Sequence, residues 1–123
     1  MNPKEYKLIA VVGVSHDETK YGHRIFRDLY QAGYPVKGVN PKGGSVLGHD
    51  LYKSLSEIEK KPELVIAVVH PEATLLLVEE CKKLGIKNLW LQPGSESSAV
   101  LEKAKAYGIK TVSSCFMAVK GIW

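Results

Sequence analysis

The chain has 123 residues, enough for one domain with a sizeable core and too few for two. Its 45% hydrophobic and 24% charged residues are ordinary for a globular protein and exclude a disordered or fibrous chain. A net charge of +4 suits an anionic ligand, but no Lys/Arg cluster is interleaved with aromatics and no apolar run nears the length of a membrane span, so neither nucleic acid nor a membrane is expected as a partner.

Lys4 and Lys7 precede an apolar stretch, as in a signal peptide, but the stretch is short, has no small-residue cleavage site and leads into a glycine turn. Leu8–Val14 is a continuous apolar run, the pattern of a strand covered on both faces. Gly13-Val14-Ser15 then passes through a polar loop to Lys20-Tyr21-Gly22, where a helix begins. Ile25, Leu29 and Ala32 recur at helical spacing until Gly33 stops the helix. Val36–Asn40 reads as a second strand closed by Pro41, and Lys42–Gly48 as a flexible glycine-rich stretch. His49–Tyr52 is expected as a brief edge strand and Ser54–Glu59 as a helical turn.

Leu64–Val69 is another fully apolar strand, and Pro71 suits the first turn of the following helix. Leu77, Cys81 and Leu84 share one face of that helix, which Gly85 ends. Asn88–Gln92 is a strand with Trp90 directed to the core, followed by Pro93-Gly94-Ser95. Glu96–Tyr107 is a helix with Val100, Ala104 and Tyr107 inward, Thr111–Ser114 is a last strand, and Phe116–Trp123 is an apolar tail. This alternation predicts an α/β fold: a Rossmann-like doubly wound parallel sheet of about five strands, in a three-layer αβα arrangement, as one domain over residues 1–123. Ligands of such sheets bind beyond the carboxyl ends of the strands, where the strand order reverses.

A glycine turn between strand and helix aims backbone N–H groups and the positive helix end at one point, which favours a phosphorylated ligand. The dinucleotide fingerprint G-x-G-x-x-G is incomplete: Ser15 stands where the second glycine belongs, Gly22 lies too far on, and the second strand ends in Asn40 rather than an acid. Intact NAD binding is disfavoured, although the Asn40 amide could still meet a sugar hydroxyl.

Taken in order, Val12-Gly13-Val14-Ser15, Lys20-Tyr21-Gly22, Val39-Asn40-Pro41, Val68-Val69-His70-Pro71, Trp90-Leu91-Gln92-Pro93-Gly94 and Cys115 fall at successive strand ends. In these residues the sequence resembles the small stand-alone CoA-binding proteins, which are similar to the amino-terminal CoA-binding domain of the succinyl-CoA synthetase alpha subunit. The resemblance implies coenzyme A or acyl-CoA as ligand. It implies that Gly13, Val14, Ser15 and His16, with Lys20, Tyr21 and Gly22, take the phosphates. Asn40, Pro41 and Lys42 would lie along the nucleotide, Val69, His70 and Pro71 near the adenine, and Gln92, Pro93 and Gly94 along the pantetheine. Lys20, Lys42 and Arg24 would supply positive charge.

Several residues carry two readings. Ser15 caps the turn as well as suiting a phosphate, and Lys42 is either a phosphate ligand or a solvated lysine. His70 packs on an adenine or caps the next helix. His16, His23 and His49 have no common metal spacing and read as surface or loop residues. Cys81 and Cys115 lack metal-ligand spacing and read as free thiols of a cytoplasmic protein. Cys81 is a core residue, whereas Cys115 is either core filler or the partner of the CoA thiol in a mixed disulfide. The tail ending in Trp123 packs on its own sheet or forms a homodimer contact.

No nucleophile with a base in reach, and no paired carboxylates, can be placed at the strand ends, so no catalytic residue and no metal are assigned. The expected function is binding of CoA or acyl-CoA without chemistry of its own. The alternatives are an NAD(P)-binding redox-sensing module and an accessory subunit that completes a larger acyl-CoA synthetase or acyltransferase.

Overall fold

The structure, a computed structural model, describes residues 1–123. Five short strands form its main sheet: β1 (Ile9–Val12), β2 (Val36–Val39), β5 (Leu64–Ala67), β6 (Asn88–Leu91) and β7 (Lys110–Ser113). All neighbours pair in parallel, in the order β2-β1-β5-β6-β7. Four helices connect or follow them: α1 (Tyr21–Gln31), α2 (Pro71–Leu84), α3 (Ser98–Ala106) and α4 (Phe116–Val119). The chain leaves β1 for β2 on one side and returns to β5 on the other, so the order reverses between β1 and β5.

Alternate residues of the central strands feed two cores. Ile9 and Val11 of β1 join Ile25, Phe26 and Leu29 of α1 and Phe116 and Met117 of α4 on one face. Ala10 joins Val65, Ala67, Leu77, Val78 and Cys81, with Val100 and Ala104 of α3, on the other. The sheet is therefore covered on both sides, which is why β1 and β5 are apolar without alternation. Phe116 and Met117 are fully buried, each such side chain contributing roughly 1.5–3 kcal/mol, and they anchor the C-terminal tail. No helix is long and apolar enough to cross a membrane.

Some elements differ from expectation. The stretch expected to be flexible holds β3 (Ser45–Val46), which pairs antiparallel with β4 (His49–Asp50). Both turn residues have positive φ, Leu47 at 54° and Gly48 at 79°, the geometry of a tight hairpin. A leucine in that position carries no turn signal, so the hairpin was hidden. Only Tyr52 of the expected edge strand bridges the main sheet, at Val39. Helix α3 starts at Ser98 rather than Glu96, because the Ser97 side chain caps it by accepting from Val100 N–H at 3.2 Å. Ala32 is exposed rather than inward.

Candidate functional site

Two loops meet where the sheet reverses. Gly13 has a φ of 101°, and a Cβ there would run into the Val68 carbonyl at the end of β5. A Cβ on Gly22, in the first turn of α1, would strike the Gly13 carbonyl. Both glycines are thus required by close backbone approach, and they bring the start of α1 against the ends of β1 and β5.

The loop between β1 and α1 is shaped by its own side chains. Ser15 Oγ accepts from Asp17 N–H at 3.0 Å, and Asp17 Oδ1 accepts from the N–H and hydroxyl of Thr19 at 2.9 and 2.7 Å. The Thr19 hydroxyl, and then its N–H, hold the Asp17 carboxyl below its usual range. His23 is only 7% exposed, and its Nδ1 donates to the Ser15 carbonyl at 2.8 Å. The expectation of a surface histidine is corrected at His23: it lies on the apolar face of α1 one turn before Phe26, and it ties the loop to the helix. His49 is half-buried against Tyr30, with ring centroids 4.1 Å apart.

Not every amide of the turn is free. Gly13 and Val14 N–H both donate to the Val39 carbonyl, at 3.0 and 3.2 Å, and Val14 is fully buried. Ser15 and His16 N–H have no acceptor in the chain, nor have those of Tyr21, Gly22 and His23 in the first turn of α1. Lys20 occupies the N-cap of α1 and His70 that of α2, and neither side chain caps its helix. Thus α1 and α2 start uncapped at the carboxyl ends of adjacent strands β1 and β5, with their positive ends on either side of one crevice.

Asn40 joins a third loop to this crevice. Its Nδ2 donates to the Val14 carbonyl at 2.8 Å and its Oδ1 accepts from Lys42 N–H at 2.8 Å, so the side chain works as a clamp between loops. Pro41 and Lys42 are exposed in the turn it stabilises. His16 reaches the same place, its Nε2 2.6 Å from where a Cβ on Gly44 would stand. Arg24 is drawn away, its guanidinium carbon 4.6 Å from the Trp123 ring centroid and 5.6 Å from that of Tyr21.

On the β5–β6 side, Val68, Val69, His70, Ala73, Pro93, Gly94 and Ser95 line an open cleft of about 490 Å³. Pro71 begins α2 at its edge. Ser95 is buried; its Oγ donates to the Ala67 carbonyl at 3.0 Å and accepts from Val69 N–H at 3.3 Å, stapling the two strand ends together. A smaller cavity of about 150 Å³ shares Val68 and Pro93 with this cleft and is closed by Tyr21, Gln92 and Cys115. Gln92 is 3% exposed, and its Oε1 accepts from Phe116 N–H at 2.6 Å. Cys115 is half-buried: it packs against the core that holds Phe116 and Met117 and also lines the cavity wall. Burial pushes the Cys81 thiol up to about 12, with Glu80 adding to the shift, so Cys81 is inert at neutral pH.

The expected site residues therefore gather along one edge of the sheet: the Gly13–Gly22 loop beside Asn40–Lys42, and Val69–Pro71 beside Gln92–Gly94. Val68, Ala73 and Ser95 also line that edge and went unassigned; the Pro-Gly-Ser turn was the available signal for Ser95. The CoA binding domain family matches residues 7–121 of the chain. The chain belongs to the CoA binding domain family.

Within the family's wider relations, it is 31% identical over 116 residues to an ADP-forming acetate–CoA ligase of Archaeoglobus fulgidus, covering 86% of this chain and 17% of the ligase. It is 31% identical over 118 residues to the alpha subunit of an ADP-forming acetate–CoA ligase of Pyrococcus furiosus, covering 85% of this chain and 25% of the subunit. The chain thus spans about a sixth to a quarter of the length of these relatives. Among solved structures it is similar to a conserved hypothetical protein of Pyrococcus furiosus, with a TM-score of 0.85 and 34% identity over 92% of this chain and 98% of that one.

Proposed function

We propose that this chain binds coenzyme A or acyl-CoA across the crevice at the β1–β5 reversal and performs no chemistry of its own. The observation that carries the reading is the pair of uncapped helices, α1 and α2, starting on either side of that crevice in a chain of the CoA-binding family. The free N–H groups of Ser15, His16, Tyr21 and Gly22 take the pyrophosphate, with Lys20 beside them. Gly13 and Val14 shape the turn rather than donate to the ligand. Asn40 and Pro41 hold Lys42 toward the ribose phosphate. Val69, His70 and Pro71 flank the nucleotide, and Gln92, Pro93 and Gly94 run along the pantetheine arm. Cys115 then lies near the thiol, close enough in the fold to exchange with CoA disulfide under oxidising conditions. The site works in the cytoplasm, where both cysteines are ordinarily reduced and such exchange awaits an oxidising episode.

Calorimetric titration separates this reading from a dinucleotide module. CoA is expected to bind at micromolar concentration and NADH not to bind; the reverse result would overturn the reading. A second reading, an accessory subunit of a larger acyl-CoA-forming enzyme, draws on the ligase relatives, which are several times longer. It predicts co-purification of this chain with a larger partner, and a chain that always isolates alone would count against it.

A further inference from the structure

We propose that the small cavity at the β5–β6 end is an acyl pocket: it takes the thioester end of a CoA conjugate with a short, uncharged acyl group, and Gln92 Nε2 donates to the thioester carbonyl. The inference rests on the CoA reading above and specifies the form of ligand the site favours.

Gln92 carries the argument. Its Oε1 is committed to Phe116 N–H, but its Nε2 has no acceptor anywhere in the chain. No fully enclosed side-chain nitrogen or oxygen in the protein lacks a partner, so the Nε2 of this almost wholly buried residue keeps some open surface, and the space that Gln92 lines is this cavity. A donor that faces an open space and has no acceptor in the chain is free to meet a ligand or a water there.

The remaining walls limit what that ligand can be. Val68, Pro93 and the Tyr21 ring are largely carbon, Cys115 is a thiol, and no charged side chain lines the space. A single carbonyl with a small apolar group matches this lining. A terminal carboxylate would be buried without a cation. At about 30 Å³ per water-sized group, a cavity of about 150 Å³ holds roughly five such groups. The sulfur, carbonyl and methyl of an acetyl thioester fit, with space for one further carbon. Because the cavity and the larger cleft share Val68 and Pro93 as walls, an arm lying in that cleft has its end beside the cavity.

The test is calorimetric titration of the whole chain with CoA, acetyl-CoA, hexanoyl-CoA and succinyl-CoA, in reductant so that Cys115 stays a thiol. Acetyl-CoA is expected to bind about ten-fold more tightly than CoA, from one added hydrogen bond and one buried methyl. Hexanoyl-CoA and succinyl-CoA are expected to lose that gain. Gln92→Met keeps the length of the side chain and removes the amide; on that variant the preference is expected to vanish, acetyl-CoA binding no more tightly than CoA. Should that variant not fold, the four ligands on the unaltered protein still decide. CoA binding with all four affinities within two-fold of one another would overturn the acyl pocket alone. Failure of every ligand to bind would overturn the CoA reading with it.

Discussion

The two halves of the sheet treat their helix starts differently. On the β6–β7 side, Ser97 caps α3, and Gln92 Oε1 satisfies the first N–H of α4. On the β2–β1–β5 side, α1 and α2 begin without a side-chain cap. A cap contributes about 1 kcal/mol, so its absence at two long helices and presence at a third is an energetic difference between the halves. In one half the helix starts are satisfied from within the chain; in the other the backbone donors and positive helix ends are left open.

The largest effect that separates the halves is expected at Gly13. Gly13→Ala combines positive φ with a collision against the Val68 carbonyl and is expected to cost about 3 kcal/mol in urea unfolding. A loss below 1 kcal/mol would mean the two loops can part cheaply and the crevice is not rigidly built. Next comes Lys42→Ala, expected to weaken CoA about ten-fold and dephospho-CoA much less, with folding stability unchanged. Equal losses for both ligands would assign Lys42 to another phosphate. Ser97→Ala is the mirror case: about 1 kcal/mol of stability is expected to go while CoA affinity holds. A change in affinity would show that the α3 cap bears on the crevice as well as on stability.

The smallest effect concerns the tail. Trp123 Nε1 donates to Asp28 Oδ2 at 2.6 Å, and Arg27 pairs with the same carboxylate at 2.7 Å. The Arg27 hydrogen bond, assisted by that of Trp123, holds the Asp28 carboxyl below its usual range. The contribution of Asp28 is therefore fully present above the ordinary aspartate value of about 4 and fades as pH falls through the lower folded value. The indole N–H resonance of Trp123 is expected to shift in that acid window. That of Trp90, which donates to the Ser114 carbonyl at 2.7 Å, is expected to hold still. A Trp123 signal unmoved by acid would show that the carboxylate is not what docks the tail.

Most of the scaffold was legible in the sequence because buried parallel strands and glycine-ended helices write themselves locally: β1, β5, α1 and α2 fall close to their expected places. What escaped depends on contacts between distant residues. The Val39 carbonyl claims the Gly13 and Val14 amides from 25 residues or more away, so the free donors lie further into the loop than a glycine motif implies. Asn40 has the residue type of a sugar ligand, yet both ends of its amide are used, one across to the Val14 carbonyl and one within its own turn. Leu47 has the backbone of a turn residue without the composition of one. Gln92 was placed at the end of β6 by its Pro-Gly neighbours, but only the pairing of its oxygen with Phe116 reveals that the nitrogen is free.

The proposed grip on the pyrophosphate belongs to the β1–α1 loop and the uncapped start of α1. The most direct measurement is a two-dimensional amide spectrum of the labelled protein titrated with CoA. The account predicts that the N–H signals of Ser15, His16, Tyr21 and Gly22 move most, while those of Ser98 to Val100 in the capped helix stay in place. Saturation with CoA that leaves the four crevice amides unmoved would contradict it.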